Sequence, residues 1–247
     1  QIMNLDDNAF IRNTKRGILG DHIIIQYLDS LIEKIDVIDN ASSYNDLKIQ
    51  VDKTDPYREF RDEMSSKKMV AYFKEDTIHQ LQLINMAKTY YHIINDSLLE
   101  GANTVSGDSM QINFANGEIN RIQVNGAALG EFNPERTNSN VDTTIYYGAD
   151  YIDYHIRDEK TFLLTSASVK YQDTELSAGK IIVDWETNIL DAIKSNGEYP
   201  MARSYGEEPM KGESMVFDLI KKHGRINQGR TSLNQSFYHG KQVFRDD

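Results

Sequence analysis

The chain contains no cysteine, so it can build neither a disulfide framework nor a thiolate zinc site, and its redox compartment stays open. Basic residues are outnumbered: 27 Lys and Arg stand against 38 Asp and Glu, for a formal net charge of -11. That balance argues against nucleic acid as a partner, because phosphate binding depends on clustered Lys and Arg. It argues equally against a basic patch for an anionic membrane surface. No apolar run approaches the roughly eighteen residues that a membrane-spanning helix needs. A charged segment followed by an apolar one is also missing, which leaves a cytoplasmic chain or one whose leader has been removed. Proline is scarce, and two of the four prolines, Pro200 and Pro209, lie in a Gly/Ser/Glu-rich stretch. Residues 195–214 are therefore the expected irregular connection.

What the chain does have is repetition. Residues 20–41 (GDHIIIQYLDSLIEKIDVIDNA), 66–87 (SKKMVAYFKEDTIHQLQLINMA) and 107–128 (GDSMQINFANGEINRIQVNGAA) align without a gap, with starts 46 and then 41 residues apart. The apolar columns are Ile23/Met69/Met110, Ile25/Ala71/Ile112, Tyr27/Phe73/Phe114, Ile32/Ile78/Ile119, Ile35/Leu81/Ile122, Val37/Leu83/Val124 and Ala41/Ala87/Ala128. A near-constant period of this size marks stacked units that bury their apolar faces against one another. Residues 1–9 match the tail of the repeat through Met3, Leu5 and Ala9, so the chain is expected to be a fragment of a longer one.

Within each copy the spacing is that of β-structure. Ile23, Ile25 and Tyr27 alternate with polar or outward residues, as do Met110, Ile112 and Phe114. A polar turn follows in the same column each time: Asp29-Ser30, Glu75-Asp76 and Asn116-Gly117. A return strand then carries Ile35 and Val37, Leu81 and Leu83, or Ile122 and Val124. Each copy reads as a hairpin with one apolar side. Weaker copies are expected at 149–190 and 212–247. There Ile152, Tyr154 and Ile156 fill the first columns, Phe162 and Leu164 form a short return strand, and Met215 and Phe217 repeat the opening. Short strands are expected at 47–51 and 91–94, and a loop or helical turn at 55–64. The fold class is all-β. The apolar columns could close into a dry core or line an open trough between two sheets.

Catalytic and metal signals are weak. Histidines at 22, 79, 92, 155, 223 and 239 show no zinc-binding spacing. Asp150, Asp153 and Asp158 do not follow the calcium-loop pattern. No G-x-S-x-G or phosphate-binding glycine loop occurs. With 38 acidic residues, some carboxylate pair is always available and means little. Trp185 reads as a sheet residue rather than a sugar platform.

The pattern G-D-x-h-x-h-x-h, a polar turn, then I-x-x-h-x-h-x-x-x-A, carried by Gly20-Asp21 to Ala41 and Gly107-Asp108 to Ala128, resembles the OstA-like repeat of the lipopolysaccharide (LPS) transport proteins. The copy from Ser66-Lys67 keeps the columns but departs at the Gly-Asp start. The C-terminal segment, through Gly212, Met215, Gly224, Ile226, Tyr238 and Gly240, resembles the stretch leading into the barrel of the LPS-assembly (LptD) branch. That branch commonly carries cysteines there, and this segment has none.

The resemblance implies a periplasmic, outer-membrane-associated β-jelly roll, a folded V of two antiparallel sheets running as one extended domain over 1–247. It also implies that the interior shields lipid A acyl chains. On that reading the lipid-binding residues are Ile23, Ile25, Tyr27, Ile35, Val37, Met69, Phe73, Leu81, Leu83, Met110, Ile112, Phe114, Ile122, Val124, Ile152, Tyr154, Ile156, Met215 and Phe217. No catalytic group or cofactor is expected. Expected partners are LPS, other jelly-roll transport proteins joined by edge-strand pairing, and an outer-membrane β-barrel. The competing expectations are a structural β-repeat scaffold for cell-surface protein interactions and, more remotely, a polysaccharide-acting enzyme.

Overall fold

A computed structural model describes residues 1–139, 141–204, 206–233 and 236–246, and among them every regular element is a β-strand. The strand pairings are antiparallel throughout the ladders. The chain forms two compact units, one of residues 1–126 and 132–139, the other of 127–131 and 140–247. The last of the expected repeat copies, 212–247, falls partly outside the described residues.

In the first unit, β1 (Ile2–Leu5), β2 (Ala9–Arg12), β3 (Arg16–Gly20) and β4 (His22–Leu28) lead into long strands. These are β5 (Leu31–Ile49), β6 (Arg58–Lys74), β7 (Thr77–Asn95), β8 (Leu98–Ala115) and β9 (Glu118–Pro134), of which residues 127–131 belong to the second unit. Tight turns join them at the expected places. Asp29 and Ser30 have φ of 48° and 70°, Glu75 and Asp76 of 51° and 58°, and Asn116 and Gly117 of 56° and 80°. Two consecutive positive φ values give the turn whose twist matches the flanking strands.

Midway along the long strands the backbone again turns left-handed for two residues: Asp39 and Asn40 in β5, and Asn85 and Met86 in β7. The ladder slips across both, between Ile38 and Ala41 and between Ile84 and Ala87. Such bulges bend a strand sharply. Each long strand therefore serves two layers, its two halves lying on either side of the corner. The last apolar column of the repeat, Ala41 and Ala87, follows the corner directly and is 1% exposed in both copies. Asp7 and Asn8 make the same left-handed pair between β1 and β2, just before buried Ala9.

The Gly-Asp that opens the repeat answers this corner on the neighbouring strand. A Cβ on Gly107 would lie 2.6 Å from Val124 Cγ1 and 3.0 Å from the Asn125 carbonyl oxygen, closer than side chains pack. In the second copy Ser66 takes the place of glycine, is 7% exposed, and its hydroxyl donates to the Lys68 carbonyl at 2.8 Å.

Three expectations need correction. Residues 47–51 and 91–94 are not separate short strands: β5 runs through residue 49 and β7 through residue 95. The 55–64 segment is neither helix nor wholly loop, because β6 begins at Arg58 and pairs with the end of β5, Ile49 opposite Arg58. The irregular connection at 195–214 contains two short strands, Met201–Ser204 and Met210–Lys211.

The second unit contains β10 (Ile145–His155), β11 (Lys160–Tyr171), β12 (Thr174–Asp184), β13 (Ile189–Ile193), β14 (Met201–Ser204), β15 (Met210–Lys211), β16 (Ser214–Asp218), β17 (His223–Leu233) and β18 (Ser236–Asp246). β11 carries its own corner at Thr165 and Ser166, followed by Ala167 at 1% exposure.

Candidate functional site

Within the first unit, strand register assembles the apolar columns into rows that cross the strands. Ile23 lies opposite Val37, Val37 opposite Met69, Met69 opposite Leu83, and Leu83 opposite Met110. Beside it runs a second row, Ile25–Ile35–Ala71–Leu81–Ile112. Neither row contains a polar side chain. Five strands at the usual spacing give each row a length of about 19 Å. Hairpin geometry alone forces this, since side chains alternate across a strand and cross-strand partners share a face.

The second unit repeats the arrangement: Ile152–Leu163–Ile181–Ala192–Met215–Ile226 is one continuous row. Here the expected phase of β11 is wrong by one residue. Leu163 is fully buried and pairs with Ile152 and Ile181, whereas Phe162 and Leu164 are half-buried on the other face. A one-residue slip inverts every side chain of a strand.

Most of the residues expected to contact lipid are buried by the protein itself. Ile23, Leu83, Ile112, Val124 and Ile152 are 0% exposed, and Ile25, Ile35, Val37, Met69, Leu81, Met110, Ile122, Tyr154, Met215 and Phe217 are also buried. Tyr27, Phe73 and Phe114 are half-buried near the hairpin ends. Ile156 departs from the set: β10 stops at His155, so Ile156 enters the turn and is 40% exposed. A cavity of about 20 Å³ lies among the apolar residues of the second unit, against Leu190, Met215 and Phe217. That is room for one water molecule.

The polar groups set into these sheets were invisible to spacing rules, because their partners lie on neighbouring strands. Asp36 is 5% exposed and is paired with Lys34 at 2.7 Å and Lys68 at 3.2 Å. His92 Nδ1 meets Asp62 Oδ1 at 2.8 Å, and His155 lies between Asp153 at 3.3 Å and Asp158 at 3.5 Å. Burial pushes the Tyr91 phenol up to about 12, against a bond from Asn103 that acts the other way. Burial, and then the hydrogen bond that Tyr171 donates to Asp142 at 2.6 Å, raise Tyr171 to about 12. Among the described residues no three His, Asp or Glu side chains are grouped to hold a metal ion.

Among solved structures, the chain is similar to a periplasmic transport component. That component is LptH of Pseudomonas aeruginosa, the LptA-homologous periplasmic component of the lipopolysaccharide transport device, at 12% identity and a TM-score of 0.43 over 55% of this chain and 84% of that one. No family model matches the chain, and no curated protein is similar to it. The functional reading therefore rests on the residues of this chain and on the repeat pattern that they carry.

Proposed function

We propose that the chain is a periplasmic lipopolysaccharide-transport module that shields lipid A acyl chains on the way to the outer membrane. The observation that carries this reading is the pair of uninterrupted apolar rows in the first unit, Ile23 to Met110 and Ile25 to Ile112. Sheltering a methylene from water is worth roughly 0.8 kcal/mol, so a continuous apolar surface is sufficient and no reacting group is needed. Met69 and Met110 suit an interior that must repack around a mobile chain. Tyr27, Phe73 and Phe114, half-buried at the hairpin ends, offer the first contact.

Edge strands supply the partner surface. Among the described residues β1 pairs with β4 alone and β2 with β3 alone, which leaves one side of each free to accept a strand. In this reading another jelly-roll transport protein adds there, head to tail, and an outer-membrane barrel lies further along the path.

A second reading has its own support. The rows are already closed by protein, with Ile23, Leu83 and Ile112 fully buried. That favours a β-repeat scaffold whose interior is structural and whose partners are proteins. Photo-crosslinking side chains at Phe114, Tyr154 and Met110, with purified LPS added, separate the two. Capture of LPS at these positions is the expected result. Crosslinks confined to protein, while LPS remains uncaptured, would sink the lipid reading in favour of the scaffold.

A further inference from the structure

The outward face of the first unit's second layer holds a cleft of about 570 Å³. That volume is ordinary for a small-molecule site, for which roughly 300–1,000 Å³ is usual. The cleft lies on the side of the sheet away from the apolar rows: Ala41, Ala87 and Val105 point inward and are buried, while Ser42, Lys88 and Thr104 alternate outward. Register sets its floor side by side, with Ser42 opposite Ser65, Ser65 opposite Lys88, and Tyr90 opposite Thr104.

Two aromatic rings stand in this floor. Tyr44 lies over Gly17, where any Cβ would overlap the ring, and the Arg61 guanidinium sits 4.2 Å from the ring centroid. Arg61 is in turn held by both Asp46 oxygens, at 2.6 and 3.0 Å, so its charge is balanced locally. Tyr90 is 37% exposed and meets the His92 ring edge-on, with centroids 5.1 Å apart. Around these rings the hydroxyls of Ser42, Ser65 and Thr104 and the Lys88 ammonium have no hydrogen-bond or ion-pair partner among the described residues.

We infer that this cleft binds a short neutral oligosaccharide. Such a molecule offers flat C–H patches for Tyr90 and many hydroxyls for the unpartnered Ser, Thr and Lys groups. An acyl chain would strand those polar groups away from water, which costs free energy. A strongly anionic ligand finds only Lys88 unpaired, with Glu63 lining the same cleft. An extended peptide finds no free strand edge here, because β5, β6 and β7 are each paired on both sides. The inference stands independently of the lipid reading, since it uses the opposite face of the sheet.

The test is a titration of the isotope-labelled full chain with maltotriose, cellotriose and triacetylchitotriose, followed by amide NMR. At least one sugar is expected to give saturable shifts clustered at residues 42–44, 63–65, 88–90 and 104. Tyr90→Ala should then weaken binding about tenfold, the size of one aromatic contact. Ser65→Trp, which fills the cleft without touching the core, should abolish binding while the remaining spectrum keeps its dispersion. No saturable shift with any of the sugars, shifts centred elsewhere, or binding that survives both substitutions would each overturn the inference. So would a response only to sulfated oligosaccharides, or line broadening from self-association through this face.

Discussion

The Asn40 side-chain amide donates to the Asp21 carboxylate at 3.0 Å, and the Asp21 backbone N–H donates to the Asp39 carbonyl at the same distance. Asp39 and Asn40 are the left-handed pair that bends β5, with φ of 56° and 50°. The Gly-Asp opening of one strand is thus the receiver for the bend of the next: glycine clears space for the corner, and aspartate satisfies its polar groups. Residues that are far apart in the repeat motif form one structural device.

Gly107→Val therefore overpacks a corner rather than a flat stretch of sheet. The added methyl groups would run into Val124 and the Asn125 carbonyl. Overpacking typically costs about 1–3 kcal/mol, and urea unfolding should show a midpoint lowered accordingly with an unchanged slope. Asn40→Ala, which removes one hydrogen bond, should cost about 0.5–1.5 kcal/mol.

Met110 and Met86 make a matched pair of tests. Met110 is 2% exposed at the β8 end of an apolar row, whereas Met86 is 72% exposed at a corner. Met110→Ala should destabilise by about 2–5 kcal/mol through lost burial and a residual cavity. Met86→Ala should stay within about 0.5 kcal/mol of the parent. Similar losses for the two would mean that the rows are not packed as described.

Asp36 depends on its lysines. Its carboxylate is nearly buried, and Lys34 and Lys68 supply the only charges paired with it among the described residues. Replacing both lysines by Met strands the carboxylate, at a cost of about 1–3 kcal/mol or more. Adding Asp36→Leu to that variant should recover much of the loss, since a buried ion pair can often be exchanged for well-packed apolar side chains. Thermal unfolding of the parent and the two variants checks this.

Tyr91 and Tyr171 should hold their protons well above the usual range of a tyrosine. Both phenols are raised to about 12, from an unfolded value of about 10. A raised folded value means that the folded state holds its proton more tightly. The resulting stabilisation is complete below about pH 10 and is lost as the pH rises toward 12. Tyrosine ring NMR resonances give the midpoints, and Asp142→Asn should lower that of Tyr171. At the acid end Asp142 behaves oppositely: the Tyr171 hydrogen bond holds its carboxyl below the usual range, so its contribution fades as the pH falls.

The hairpins were legible because each obeys two local rules at once. Alternation sets which of Ile23, Ile25, Ile35 and Val37 share a face, and Asp29-Ser30 or Asn116-Gly117 tolerates the positive φ that a two-residue turn demands. The corners were not legible. Asp7-Asn8 and Asp39-Asn40 are alike, but Asn85-Met86 and Thr165-Ser166 do not follow them, and Met86 and Thr165 have little intrinsic preference for left-handed backbone. Only the small residue after them, Ala41, Ala87 or Ala167, left a trace, and that trace does not say that the strand bends. The phase of β11 was not legible because the inward place before Leu163 is held by a polar residue, Thr161, at 1% exposure, while Phe162 and Leu164 alternate as an apolar pair on the other face. Ile156 left the inward set because β10 stops at His155.

Sequence alone determined that this protein is all-β, where its hairpins turn, and which columns are apolar, because those properties follow from nearest neighbours along one strand. Tertiary structure decided what spans strands. It joined the columns into continuous rows, put Asp36 beside Lys34 and Lys68, and brought Ser42, Ser65, Lys88 and Thr104 onto one outward cleft. Register and bending set those meetings, and both depend on pairing between segments distant in the chain, which no local pattern encodes.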